Sequence, residues 1–260
     1  MIDSPLHPLL QPYVKSIDIV DSGQSTDFYK VYPGLSIVMG FQFHGSIAFR
    51  SEEDKVIPLK QSGITGLLTN YRSFQSCSPF TKTILIKVYP WAINSLFNES
   101  ANLFTNQSLG LADLINEQVV NLVEEKIHET QELKALAKLI QEFLIQLYQS
   151  NNHKFSPPQR IIHIAQNLID NPSQESIQDL ARHYGYSPRS LERYFQTHIG
   201  LSPKKYMRIS RFQKVLEKIQ KGGSWASVAE QFNYYDQSHF IKDFQQFTGE
   251  TPEFFSIKSS

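Results

Sequence analysis

The chain has 260 residues, of which 40% are apolar and 19% are charged, and its 25 Lys and Arg balance 25 Asp and Glu. This globular composition excludes wholesale disorder, and the zero net charge gives no overall sign of a nucleic-acid partner. The single cysteine, Cys77, excludes an intrachain disulfide and any zinc site that needs two or four cysteines. The N-terminus lacks the pattern of a secretory signal, and no apolar stretch approaches the length of a membrane span. We therefore expect a cytoplasmic protein with no membrane partner.

The charges are unevenly distributed along the chain. Residues 1–155 carry 12 basic and 15 acidic side chains, whereas residues 156–260 carry 13 and 10. Within residues 174–221 there are ten basic side chains and only four acidic ones. A difference in sign between the two halves favours different partners, although ordinary solvated helix surfaces explain it equally well.

The first half begins with a β-rich pattern. Between residues 28 and 89, short segments rich in Val, Ile, Phe and Tyr are separated by Gly, Pro, Asn and charged turns. Several short strands so close together predict a small barrel or sandwich. Cys77 falls on one of these segments and is expected to be a small buried side chain.

Helical patterns follow the strands. Residues 116–128 are predicted to form a helix, and residues 131–150 form a second one with an apolar stripe from Leu133 through Ile140 to Leu147. A stripe that wide is not expected to face water, so this helix should dock onto the β-domain or support dimerisation. The polar, proline-terminated segment 151–158 has the character of a linker.

An internal repeat dominates the second half. Residues 176–206 align with residues 224–255, first at an offset of 48 and then at 49. The matched pairs include Ser176 with Ser224, Ala181 with Ala229, Leu191 with Phe240, Phe195 with Phe244, Gly200 with Gly249 and Pro203 with Pro252. Each copy has the pattern of a helix, a short turn and a second helix, which is typical of a helix-turn-helix unit. The alternative is an αα-hairpin that binds nothing, but two copies joined by a basic helix favour DNA binding.

The second half resembles the AraC/XylS transcription regulators over residues 157–256. The motif stretches are SIQDLARHYGYSPRSLERYFQTHIGLSPKKYMRISRFQKVL, SVAEQF and YYDQSHFIKDFQQFTGETP. The resemblance implies a seven-helix domain with two helix-turn-helix units. The first half is similar, in architecture only, to the β-rich regulatory domain of one subgroup of that family.

We therefore predict an α+β protein of two domains. Residues 1–150 would form a β-rich regulatory domain for an effector or for dimerisation, residues 151–158 a linker, and residues 159–258 an AraC-type double helix-turn-helix domain. The resemblance implies promoter or operator DNA as a partner, with RNA polymerase as a further expected one. A small-molecule effector and a homodimer remain open, as does the choice between activation and repression.

Helix geometry selects the side chains that would contact bases. In the first unit Leu191 and Phe195 are expected to face inward, which leaves Arg189, Ser190 and Arg193 on the opposite face. Arg189 and Arg193 are i, i+4 neighbours, and arginine is the usual bidentate reader of guanine. The resemblance places its base-reading positions on the same residues and on their equivalents in the second unit, Gln237, Ser238, His239 and Lys242.

We expect the first unit to carry more of the sequence specificity, because the second offers less discriminating side chains. Phosphate contacts position a domain without reading sequence, and a merely solvated role is equally open for each basic residue. The phosphate candidates are Arg182, Lys204, Lys205, Arg208 and Arg211.

Signals of catalysis are missing from the sequence. It contains no GxGxxG, GxxxxGK[ST], HExxH or GxSxG motif, and its eight histidines are scattered. We therefore predict no catalytic residues, no metal and no cofactor, and a protein that is not an enzyme. The alternative is a ligand-sequestering or repair-type β-domain protein with a DNA-binding tail.

Overall fold

The computed structural model describes residues 5–21, 27–51, 53–151, 156–171, 176–221 and 237–258. We call residues 5–151 the N-terminal region and residues 156–258 the C-terminal region. Two earlier predictions lie outside the described residues. They concern the first helix of the second repeat, which begins at Ser224, and residues 152–155 of the linker.

The strands of the N-terminal region form two antiparallel sheets. The described strands are β1 Val14–Asp21, β2 Phe28–Val31, β3 Ile37–His44, β4 Ile47–Arg50, β5 Val56–Pro58, β6 Ser62–Thr65, β7 Arg72–Ser76, β8 Lys82–Val88 and β9 Ser108–Gly110. The larger sheet has the order β1-β8-β3-β6-β9, and the smaller one has the order β2-β7-β4-β5. Among the described strands the two sheets remain separate and no closed barrel forms, so the barrel alternative is wrong.

Alternating side chains bury one face of the neighbouring inner strands β3 and β8 of the larger sheet. Ile37, Met39 and Phe41 of β3 are almost completely buried, and so are Ile84 and Ile86 of β8. This period of two places one face of each strand against the core.

The described residues also form helices. They are α1 Ala92–Phe97, α2 Glu117–Glu129, α3 Leu133–Ser150, α4 Gln159–Asp170, α5 Ile177–His183, α6 Pro188–Ile199, α7 Pro203–Gln220, α8 Gln237–Thr248 and α9 Pro252–Lys258. Short 3₁₀ helices cover Ala101–Phe104 and Leu111–Asp113. Within the ranges that the structure describes, no helix combines the length and apolarity that crossing a bilayer requires.

Helix α3 docks within the N-terminal region. Ile140 is fully buried, and the ring of Phe143 meets the edge of Phe41 from β3 at 5.8 Å between ring centroids. The docking alternative therefore describes the structure, while dimerisation stays a prediction. The predicted start of the apolar stripe was wrong, because Leu133 is 56% exposed and the buried face begins at Leu136.

The prediction for Cys77 was wrong. Its side chain is exposed, and the residue lies one position past the end of β7. The buried position at the end of this strand is Ser76, so strand alternation directs the next side chain outward. The Cys77 backbone N–H donates to the carbonyl of Ser46 at 2.8 Å, which extends the antiparallel pairing of β4 and β7 by one position.

A single apolar cluster connects the two regions. Its members include Ile86 in the larger sheet, Ile140 in α3, Phe195 in α6 and Phe212 in α7. The two predicted domains thus share a continuous core and are not merely tethered. The domain boundaries themselves stay a prediction.

We expect Ile140→Asp to lower the free energy of unfolding by about 4 kcal/mol or more, because it places an unpaired carboxylate in an apolar site. Leu133→Asp, on the same helix but exposed, is the matched control and should change stability by about 0.5 kcal/mol or less. Urea denaturation of both variants measures the difference. Equal stability of the two variants would show that α3 is not docked as described.

Candidate nucleic-acid interface

The first helix-turn-helix unit is built from α5, a tight turn and α6. Ser176 caps the N-terminus of α5, and its hydroxyl accepts a hydrogen bond from the backbone N–H of Asp179 at 3.1 Å. Gly185 has φ of +70° in the turn, a backbone conformation that glycine adopts without strain. Ser187 caps α6 in the same way by accepting from the N–H of Ser190 at 3.1 Å, and Pro188 occupies the first helical position.

Burial of one face orients α6. Leu191 and Phe195 are completely buried, and Phe195 packs edge-to-face on Tyr206 of α7 with 5.8 Å between ring centroids. Arg189 and Arg193 are exposed on the other side, one turn apart. The structure therefore brings the two predicted arginine base readers together on one exposed helix face.

Ser190, the third predicted base reader of this unit, is half-buried. Its hydroxyl lies 2.9 Å from that of Ser187, so it also belongs to the network that caps α6.

The described part of the second unit is α8. Phe240, Phe244 and Phe247 are buried, and the last two contact Phe212 of α7 with ring centroids 5.8 and 4.9 Å apart. Ser238 and Lys242 are exposed. The side chains of two other predicted base readers lie outside the described residues, namely Gln237 and His239.

The predicted phosphate contacts fall in different environments. Lys204 is exposed at the start of α7, and Arg182 is exposed but forms an ion pair with Asp179 at 2.9 Å. Lys205 is half-buried. Its burial, and to a smaller extent the nearby Arg208 guanidinium, lower the pKa of its ammonium group. Arg211 is half-buried on α7. Lys204 is thus the most accessible cation of this set on α7.

Arg208 has a partner that the sequence analysis missed. Its guanidinium lies 2.6 Å from a carboxylate oxygen of Asp243, which is only 4% exposed, and 2.8 Å from the amide oxygen of Gln246. Because a buried carboxylate needs a charged partner, this pair ties α7 to α8 and helps to position the second recognition helix. The signal was an aspartate next to the aromatic stripe of the second repeat. A phosphate contact by Arg208 stays a prediction.

Another missed contact joins α6 to the N-terminal region. His198 is 6% exposed, and its Nδ1 lies 3.1 Å from Oδ1 of the completely buried Asn94. The Asn94 amide nitrogen donates to the carbonyls of Glu99 and Thr197 at 2.7 and 3.2 Å, so its oxygen is the acceptor for a neutral imidazole Nδ1–H. Burial lowers the pKa of His198 from 6.5 to about 4.

This pKa generates a testable pH dependence. The unfolded chain binds a proton at His198 as the pH falls below 6.5 while the folded chain does not, so stability is complete above 6.5 and is lost towards pH 4. The loss should amount to about 2–3 kcal/mol. We expect His198→Asn, which keeps a donor towards Asn94, to reduce this pH dependence in urea denaturation. The control His183→Asn removes an exposed imidazole and should keep the wild-type slope; equal slopes in both variants would contradict the assignment.

A cleft of about 490 Å³ lies where the N-terminal region meets α7. Its apolar wall includes Val31, Leu35, Leu68, Ile169 and Leu216. Three lysines also line it, Lys15, Lys87 and Lys214, together with Glu217. Apolar walls with a few charged groups are typical of small-molecule sites.

The sequence repeat, the tight turn between α5 and α6 and the capped starts of both helices define the class: the C-terminal region carries a helix-turn-helix domain. Residues 180–256 match a family model described as "Helix-turn-helix domain". Over 148 residues the chain is 27% identical to "Uncharacterized HTH-type transcriptional regulator YidL" of Escherichia coli (strain K12), covering 54% of this chain. The chain spans about half the length, 49%, of this curated relative.

Solved structures show the same two-part architecture. The structure is similar to ToxT from Vibrio cholerae with a TM-score of 0.51 at 12% identity, covering 93% of this chain and 97% of ToxT. A second ToxT structure, bound to (E)-4-(8-methylnaphthalen-1-yl)but-3-enoic acid, gives a TM-score of 0.53 at 12% identity and covers 94% of this chain and 99% of that one. At this identity the likeness shows the fold alone. Together with the family model, it confirms the predicted resemblance and the α+β class.

Proposed function

We propose that this protein is a sequence-specific DNA-binding transcription regulator whose N-terminal region receives an effector or a second subunit. The observation that carries the proposal is the exposed pair Arg189 and Arg193 on α6, whose opposite face is completely buried at Leu191 and Phe195. A rigidly anchored helix with two guanidinium groups on its free side suits the major groove. The similarity to an E. coli protein named as a transcriptional regulator supports it.

The two units would divide the work of recognition. Arg189 and Arg193 can each bind guanine O6 and N7 through two hydrogen bonds, whereas Ser238 and Lys242 of α8 discriminate less between bases. We therefore expect the first unit to carry more specificity. Gln237, His239 and Ser190 remain predicted base contacts from the sequence.

Two recognition helices also predict the size of the site. Such helices occupy successive major-groove faces about 34 Å apart, so one chain would need roughly two turns of duplex. Lys204 and Arg182 are exposed and suited to the flanking phosphates. RNA polymerase contact and homodimer formation stay predictions, as does the absence of catalysis.

The test begins with selection of bound sequences from a random 30-base-pair duplex library. On the selected site we expect Arg193→Ala to weaken binding by about 1–3 kcal/mol and to relax the preference at one base position. Lys204→Ala and Lys205→Ala should instead weaken selected and scrambled duplexes alike and reduce the salt slope by about one unit each. Fluorescence anisotropy at several salt concentrations separates the two behaviours.

Two outcomes would count against this assignment. If Arg193→Ala weakened both duplexes equally, the residue would belong with the phosphate contacts. If the wild-type protein enriched no sequence at all, the proposed function itself would fail.

We further propose that the cleft beside α7 receives the effector. ToxT structures are described as bound to an unsaturated fatty acid and to a naphthalenyl butenoic acid, both of which join a carboxylate to an apolar body. In this chain the apolar wall and the three lysines of the cleft would suit that chemistry. Lys214 lies on α7 itself, so a carboxylate bound there would act directly on the helix that joins the two units.

Calorimetric titration with oleate below its micelle concentration tests the cleft. We expect Lys214→Met to weaken oleate binding by about tenfold, since one charge-assisted hydrogen bond contributes about 1.5 kcal/mol. Lys218→Met, which removes an exposed lysine from the same helix, is the matched control and should leave binding unchanged. Equal affinity of both variants, or no heat with the wild type, would refute this site for such carboxylates.

A further inference from the structure

Both recognition helices end against the N-terminal region at the same position of the repeat. Gly200 after α6 and Gly249 after α8 are matched at an offset of 49, and their φ angles are +89° and +74°. A Cβ on Gly200 would lie 2.8 Å from the carbonyl oxygen of Ala101, and one on Gly249 would lie 2.4 Å from Cε1 of Tyr71. The N-terminal region thus approaches each helix end as closely as a glycine allows.

At the end of α6 the contact consists of hydrogen bonds to backbone carbonyls. The Thr105 hydroxyl donates to the carbonyl of Gly200 at 2.6 Å. The carbonyl of Thr197 accepts from the side chains of Asn94 at 3.2 Å and Ser100 at 3.3 Å. The last backbone carbonyls of a helix have no hydrogen-bond donors within the helix. For α6, side chains of the N-terminal region supply these donors.

At the end of α8 the contact is ionic. The Lys30 ammonium group donates to the carbonyl of Thr248 at 3.1 Å and pairs with the carboxylate of Glu250 at 2.8 Å. It also lies 4.7 Å from the ring centroid of Tyr71. A cation at this position is favoured by the negative end of the helix dipole.

The two contact points belong to one connected body. Lys30 lies on β2, which pairs with β7, and Arg72 of β7 donates to the hydroxyl of Ser108 at 3.0 Å. Arg72 also donates to the carbonyl of Asn106, next to Thr105. The support of α6 is therefore tied to the support of α8 through hydrogen bonds within the N-terminal region.

From this arrangement we propose that the N-terminal region is a brace that holds the two recognition helices at one separation and thereby sets the half-site spacing the protein accepts. The inference rests on the proposed function. Both contacts lie at the C-terminal ends of the helices, so the early-turn side chains Arg189, Arg193 and Lys242 stay exposed. A brace at one end leaves the other end free to read bases. We assign Thr105 and Lys30 as the positioning residues.

The experiment uses the full chain and the duplex selected above, in versions that carry one or two base pairs inserted or deleted between the half-sites. Each base pair moves one half-site by about 3.4 Å and about 35° relative to the other. We expect the wild type to lose about tenfold in affinity per step, and Thr105→Val and Lys30→Met to lose less than about threefold. Both substitutions nearly keep the side-chain volume while removing the hydrogen bonds.

Matched controls lie far from both contacts. Lys55→Met removes a lysine whose carboxylate partner is Glu53, and Thr130→Val removes a hydroxyl that donates to the carbonyl of Lys126 at the end of α2. Both controls should keep the narrow wild-type spacing profile. Thermal unfolding checks each variant, and if Thr105→Val does not fold, the profile of Lys30→Met decides.

Each result distinguishes the brace from its alternatives. Unchanged spacing profiles in Thr105→Val and Lys30→Met would overturn the brace. A uniform gain in affinity at every spacing would also overturn it and would indicate that the N-terminal region inhibits DNA binding instead. Failure of the wild type to select any sequence would refute the proposed function. A wild type that selects a site but tolerates every spacing would overturn the brace alone.

Discussion

Burial of the inner face of α6 is the constraint on which the rest of the C-terminal region depends. Leu191 and Phe195 have no exposure, and Phe195 packs on Tyr206 of α7. Because a helix has one orientation once its apolar face is buried, this packing alone decides that Arg189 and Arg193 point outward. The chemistry offered to DNA is therefore a consequence of apolar packing. A small rotation of α6 would expose apolar surface to water, and each Å² exposed costs about 25 cal/mol of free energy.

The same core extends into the N-terminal region, so the two regions cannot move independently without exposing apolar surface. Polar contacts between them add direction to this non-directional attraction. The buried side chains of Asn94 and His198 form a hydrogen bond with each other. Separation of the regions would leave both groups without this partner unless water replaced it. The ion pair of Lys30 and Glu250 is partly exposed and weaker, since water and salt screen it. The first contact is thus the firmer of the two, and the second is the more easily altered by ionic strength.

Local sequence was enough to predict the first unit in detail but not the contacts that position it. The cap at Ser176, the turn at Gly185 and the buried pair Leu191 and Phe195 all depend on residues within one repeat, where periodicity and turn chemistry are visible. Asn94 and His198 are 104 residues apart, and no local pattern indicates such a partner.

The strands show the same limit. The three-residue strand β9 is too short to show alternation, and it exists because β6 pairs with it. The two matched glycines show a constraint that comes from docking between the regions. A positive φ at a helix end is tolerated by asparagine as well as by glycine, so helix termination alone does not require Gly200 or Gly249. What excludes a side chain is the second contact: the carbonyl of Ala101 at one position and the ring of Tyr71 at the other occupy the space that any Cβ would need. An asparagine at position 200 would still end the helix but would push the Ala101 backbone away, whereas one at position 249 would displace the Tyr71 ring. The glycines therefore report on docking between the regions, and their recurrence at the same repeat position places both docking points on the same part of each unit.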